Sequence, residues 1–194
     1  MPIKKEGCAA RLVKAGYEVH GIDCEGHGKS SGQLGLVTSF DDHFTNISER
    51  KENRNKLRIS MGGAMVLHLH RKMHAFWDGA ILVAPMCKVR SNPYTYRGRP
   101  RLQTGYQLYA ASMDLEQRLQ EVSLSFIVLH GEEDKVTDPS VSKTLHETAR
   151  ATDKTIKLYP GMWHSLSYGE LPENLDIVNW VDQTLSVRLE EQLK

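Results

Sequence analysis

The chain has 194 residues, 40 % of them apolar and 25 % charged, which is enough apolar material for one core and makes one domain over residues 1–194 the natural expectation. Lys and Arg number 25 against 24 Asp and Glu, a net charge of +1, so there is no general attraction to nucleic acid or to an anionic membrane. Cys8, Cys24 and Cys87 are far apart, show no metal-ligand spacing and cannot all pair internally, which points to a reducing, cytoplasmic setting. No apolar run approaches ~20 residues, so no transmembrane helix is expected. The opening MPIKKEGCAARLVKAGY lacks the continuous apolar core of a secretory signal.

In chain order, a short helix near Ala9 to Lys14 leads into a strand, GYEVHGID, over 16–23. A glycine- and serine-rich loop, EGHGKSSGQLG, follows, and then a helical pattern over 40–50. LRI at 57–59 predicts a very short strand, and 61–73 a helix. GAILVAP, 79–85, is a continuous buried strand. After it comes a polar, proline-bearing stretch, SNPYTYRGRPRL. A helix is expected over 103–122, a second buried strand over LSFIVLHG, 124–131, and a helix opened by Asp138. TIKLYPG, 155–161, is the last strand and 172–193 the last helix. Near-continuous apolar strands separated by helices imply an α/β fold, a mainly parallel sheet covered on both faces.

In an open parallel sheet, ligands gather at the carboxyl ends of the strands. Three such ends carry reactive groups: Ser60 after LRI, the acids Glu132, Glu133 and Asp134 after FIVLHG, and His164 after IKLYPGMW. The order Ser, acid, His is that of the α/β-hydrolase triad. A serine hydroxyl is a weak nucleophile until a neutral imidazole takes its proton, and a carboxylate then fixes the imidazole tautomer. Each residue also has a plain reading: Ser60 as the cap of the helix at Met61, His164 as a loop histidine, the acids as a solvated loop. Asp138-Pro139 fits a helix N-cap with proline at the first position, which makes Asp138 structural and leaves Asp134 better placed to turn toward a histidine.

Two other patterns fall short. EGHGKSSG lacks the first glycine of a phosphate loop, because Asp23 stands there, and the last glycine of G-x-G-x-x-G, because Ser31 stands there. His70 and His74 are one helical turn apart, with His68 nearby, but no third ligand with a glutamate base accompanies them. A solvated helix face is the expected reading, with no metal site.

Taken together, GYEVHGIDCEGHGKSSG, SFDDHF, SMGGAM, FWDGAILVAPMCK, LEQRLQEVSLSFIVLHGEEDKVTDP and KLYPGMWHSLSYGELPEN resemble the monoacylglycerol lipase-like branch of the α/β-hydrolase superfamily, whose plant members include caffeoylshikimate esterases and lysophospholipase-like proteins. The resemblance implies a carboxylic ester hydrolase with Ser60 as nucleophile, Asp134 as acid, His164 as base and the Met61 N–H as an oxyanion donor. It implies monoacylglycerol, lysophospholipid or caffeoyl-type esters as substrates, no cofactor, and weak peripheral association with membranes.

Three departures accompany it. Strands that precede GYEVHGID in the family, and the loop giving a second oxyanion donor, have no counterpart. Arg58 replaces the first glycine of G-x-S-x-G, where a strained turn would cost roughly 1–3 kcal/mol. The cap after VAPMCK is reduced to a remnant around 88–122. The expected fold is thus an incomplete α/β-hydrolase. The alternative function is a catalytically silent binding or interaction module.

Overall fold

The computed structural model describes residues 13–14, 26, 29–39, 55–59, 61–77, 79–87, 101–164 and 166. The chain divides into two units, Met1–Gly21 with Ser165–Lys194, and Ile22–His164. In the first, Val13 and Lys14 are helical, within the helix expected there. The strand expected over 16–23 and the helices over 40–50 and 172–193 lie outside the described residues.

The second unit holds a four-stranded sheet. Strands β1 (Asn55–Ile59), β2 (Gly79–Val83), β3 (Phe126–Gly131) and β4 (Lys154–Tyr159) run parallel in the order β1-β2-β3-β4. Ile59 pairs with Val83, Val83 with Leu129 and Leu129 with Lys157, so the carboxyl ends share one edge. The crossovers carry helices α1 (Met61–Lys72), α2 (Leu102–Gln117) and α3 (Pro139–Thr148). Right-handed crossovers between successive neighbours place all three helices on the same face. One apolar cluster accordingly joins Ala80, Leu82, Phe126 and Val128 of the sheet to Leu67, Leu115 and Leu145 of the helices. Ile81, Val83, Ile127 and Leu129, which alternate with them, are buried too. Both faces of β2 and β3 are therefore covered, as their unbroken apolar sequences require.

β1 is five residues long, two more than LRI, and it pairs with β2 along its whole length. Arg58 sits inside this regular ladder, so the strain expected from the missing glycine does not fall on its backbone. The left-handed non-glycine residue among those described is Ala84, at φ 45°, just past β2. Its N–H is held by the Leu129 carbonyl at 2.7 Å, which fixes a conformation costing on the order of 1–3 kcal/mol.

Ala84 turns the chain into Pro85, and Pro85 packs on α1. A Cβ on Gly63 would lie 2.9 Å from the Pro85 Cβ and 3.2 Å from its Cα. The second glycine of SMGGAM is thus a point of close approach between helix and sheet. Gly63→Ala is expected to cost about 1–3 kcal/mol, read as a lower urea midpoint, because a ring and its backbone must shift.

α1 is buried continuously from Gly63 to His70, which corrects the solvated-face reading of its histidines. His68 is 8 % and His70 1 % exposed, because α2 and the chain after it cover this helix. His68 Nε2–H donates to the Ala111 carbonyl at 2.9 Å, and His70 Nε2 accepts from the Ser123 N–H at 3.2 Å. Burial lowers the pKa of both imidazoles and keeps them neutral. His74 is exposed, past the end of α1. Arg71, next to His70, reaches Asp114 of α2 at 2.6 Å and Glu121, in the chain after α2, at 2.8 Å, and ties α1 to both by charge-assisted bonds.

The helix expected over 103–122 breaks at Arg118 (φ −131°), and a 3₁₀ turn over Leu119–Glu121 follows. Residues three apart eclipse in such a turn, so Leu119 and Val122, 2 % and 0 % exposed, reach the core together. At the N-terminus of α3, Asp138 accepts from the Ser140 N–H at 3.0 Å with Pro139 at the first helical position, as its sequence predicts.

Among the described residues of the loop EGHGKSSGQLG, two amides bond within the loop. Gly26 N–H bonds to the Ser31 carbonyl and Gly35 N–H to the Gly26 carbonyl, both at 2.8 Å. Thr104 on α2 accepts from the Val37 N–H and donates to the Gly35 carbonyl, both at 2.9 Å.

Candidate active site

The site is built where β3 and β4 end. β3 stops at Gly131, and the turn after it is fastened to the chain leaving β4: Glu132 N–H bonds to the Tyr159 carbonyl and Glu133 N–H to the Met162 carbonyl, both at 3.0 Å. The two segments approach so closely that a Cβ on Gly131 would collide with the Met162 carbonyl and lie 2.6 Å from that of Trp163. Only glycine fits there, and its absence of a side chain sets how near the acid loop comes to the histidine loop.

This turn separates the three acids. Glu132 and Glu133 point outward to Lys143 and Lys135, whereas Asp134 is 0 % exposed. Asp134 Oδ1 accepts the N–H groups of Val136 at 2.7 Å and Thr137 at 3.0 Å, an Asx turn that locks the carboxylate plane. Its Oδ2 accepts from Thr137 Oγ1 at 2.6 Å, His164 Nδ1 at 2.8 Å and His130 Nε2 at 3.0 Å. Burial alone would raise the carboxyl pKa. The bonds from His130, His164, Thr137 and Val136 outweigh it and hold the group ionised, well below the usual carboxylate range.

His164 keeps 21 % of its side chain exposed, so one edge of the ring faces outward. With Nδ1–H given to Asp134, its Nε2 carries the lone pair. An imidazole oriented by a buried anion through one nitrogen and open at the other can take a proton from a nucleophile and return it to a leaving group.

The structure thus brings Asp134 and His164 together, as the sequence predicts. Ser60 lies outside the described residues; β1 ends at Ile59 and α1 begins at Met61, on either side of it. Met61 is the first residue of α1, where backbone N–H groups have no intrahelical acceptor. His130 and Thr137 were not expected from the sequence. The available signal was a lone polar ring inside the apolar run FIVLHG, four residues before the acid.

A parallel α/β sheet presenting an acid and a histidine at the ends of its last two described strands is the arrangement of an α/β-hydrolase. The family model described as "Serine aminopeptidase, S33" matches residues 4–96 and 88–171, and the chain belongs to that family. Its two matched stretches overlap over 88–96, within the segment 88–122 that the sequence suggests as a cap remnant.

Human monoglyceride lipase is 24 % identical over 235 aligned positions, covering 92 % of this chain and 77 % of that protein. The alignment is longer than the 194-residue chain, so the relative carries segments that the chain lacks. Caffeoylshikimate esterase of Arabidopsis thaliana is 39 % identical over 100 residues, 49 % of this chain but 30 % of that protein. The crystal structure of Paleococcus ferrophilus monoacylglycerol lipase shares the fold with a TM-score of 0.75 at 20 % identity, over 91 % of this chain and 87 % of that one. Among the described residues, no helix is long and apolar enough to cross a membrane.

Proposed function

We propose that the chain is a serine carboxylic ester hydrolase whose substrates join an acyl or caffeoyl-type acid to a polyol or related alcohol. The observation that carries this reading is the 2.8 Å bond between a buried, ionised Asp134 and His164. The relatives named for monoglyceride and caffeoylshikimate esters support the ester class. In this reading His164 Nε2 takes the proton of Ser60 as its oxygen adds to the ester carbonyl. The Met61 N–H stabilises the oxyanion. His164 then protonates the departing alcohol, and water releases the acid by the same steps in reverse. No cofactor takes part. Peripheral contact with membranes from the cytoplasmic side fits a lipid-ester substrate.

A fluorophosphonate probe tests the proposal. The wild-type protein is expected to be labelled on Ser60. Ser60→Ala is expected to lose the label and about 10⁶ of the p-nitrophenyl ester turnover. A second reading, a catalytically silent binding module, is favoured by the segments that the lipase carries and this chain lacks. A folded wild-type protein that takes no label decides for it.

A further inference from the structure

The Asp134 carboxylate holds two imidazoles, and only one of them is free to do chemistry. His130 and His164 both meet Oδ2, at 3.0 and 2.8 Å. Thr137 Oγ1 lies 3.2 Å from His130 Nε2 and 3.3 Å from His164 Nδ1, so the hydroxyl that donates to Oδ2 also shares both rings. The two histidines differ in everything else. His130 is 0 % exposed, and its Nδ1 is engaged by Ser142 Oγ of α3 at 2.7 Å. A neutral ring satisfies this set in one way: Nε2–H donates to Asp134, and Nδ1 accepts the Ser142 hydroxyl proton. Both nitrogens are then used, and His130 has no lone pair left for a substrate.

A buried anion needs its compensating donors at every stage of a reaction. His164 gives its Nδ1–H to Asp134 throughout the proposed cycle, but its charge alternates as Nε2 gains and loses a proton, so its pull on the carboxylate is not constant. We propose that His130 is a positioning residue: a permanent second donor, anchored on α3 by Ser142, that keeps Asp134 ionised and its Oδ2 aimed at His164 while His164 turns over. This rests on reading Asp134 and His164 as acid and base.

The test compares His130→Leu, His130→Gln and Ser142→Ala in the full chain. Leucine removes the donor at similar bulk. Glutamine restores an N–H near the place of Nε2. Ser142→Ala frees the His130 ring without touching the acid, and it decides the matter if the leucine variant does not fold. Expected are a fall in kcat of about 10²-fold for His130→Leu with KM unchanged, since a reacting group is misaimed rather than a substrate lost. Glutamine is expected to recover most of it, and Ser142→Ala to lose kcat several-fold by the same loss of aim.

Equal kcat in all variants, or equal loss in His130→Leu and His130→Gln, overturns the proposal and leaves the esterase reading intact. Absence of fluorophosphonate labelling in the wild-type protein defeats the esterase reading instead. The inference is then judged by ¹⁵N-resolved NMR of the histidine rings. A His164 Nδ1–H signal kept in the glutamine variant but lost to exchange in the leucine variant supports it. A signal equally protected in both overturns it.

Discussion

Asparagine at position 134 is expected to lower ester turnover by about 10⁴-fold while leaving the fold in place. Asp134 Oδ2 accepts three donors, from Thr137, His130 and His164. An amide offers one acceptor oxygen, and Oδ1 is already committed to the N–H groups of Val136 and Thr137. The amide nitrogen therefore faces the histidines. It forces His164 to accept through Nδ1, which moves the proton to Nε2 and leaves the ring unable to act as a base.

The same substitution costs about 1.5–3 kcal/mol of stability near neutral pH, the range of a hydrogen bond to a charged group. Its pH dependence follows from the direction of the shift. Asp134 in the folded protein has a pKa below the value of about 3.9 for an unfolded aspartate. Its contribution is complete above that unfolded value and is lost as pH falls toward the folded one. Urea unfolding of wild type and Asp134→Asn is expected to differ most at pH 7 and to converge as pH drops below about 4. A constant difference down to pH 3 would contradict the assignment.

Gly131→Ala is the second large effect, and it acts without touching a reactive group. The added methyl meets two backbone carbonyls, those of Met162 and Trp163, which cannot rotate away as a side chain does. The chain after β4 must move outward, and His164 moves with it. About 1–3 kcal/mol of stability, and more if the shift is resisted, is the expected cost. A displacement of even an ångström between His164 and Asp134 is expected to lower turnover by a further ~10²-fold. The discriminating measurement is residual activity at a temperature where the variant is fully folded. Activity equal to wild type there would show that the loop relaxes without carrying the histidine.

The two halves of this site differed in how far the sequence revealed them. That Asp134, rather than Glu132, Glu133 or Asp138, turns toward a histidine was legible, because Asp138-Pro139 is recognisable as a helix start and loop position then favours Asp134. The strands GAILV and FIVLHG were legible as buried because nothing interrupts their apolar character. The burial of His68 and His70 was not. His70 and His74 are one helical turn apart, and spacing cannot tell that His74 is exposed while His68 and His70 are covered by a helix more than thirty residues further on and the chain after it. His130 was hidden for a related reason. Its partners Ser142 and Thr137 lie on the far side of a turn, and only the fold brings them to one carboxylate oxygen. The role of Gly131 was equally invisible, since it answers a contact with Met162 and Trp163 rather than a local turn. Arg58 was expected to carry strain, whereas it lies in the regular ladder to β2, and the left-handed non-glycine residue among those described is Ala84.

The strand order has a kinetic meaning. Each strand of the described sheet pairs with its neighbour in sequence, so each pairing closes one crossover and the contacts are local for a parallel sheet. A chain leaving the ribosome can dock β1 on β2 before β3 has been made, and β4 comes last of the four. Asp134 and His164 lie in the loops that follow those two late strands. An arrested intermediate would hold the start of α1 in place before Asp134 and His164 have met. Appearance of the Asp134–His164 bond is then a report on completed synthesis of this unit, and a refolding assay that follows it should lag one that follows helix formation.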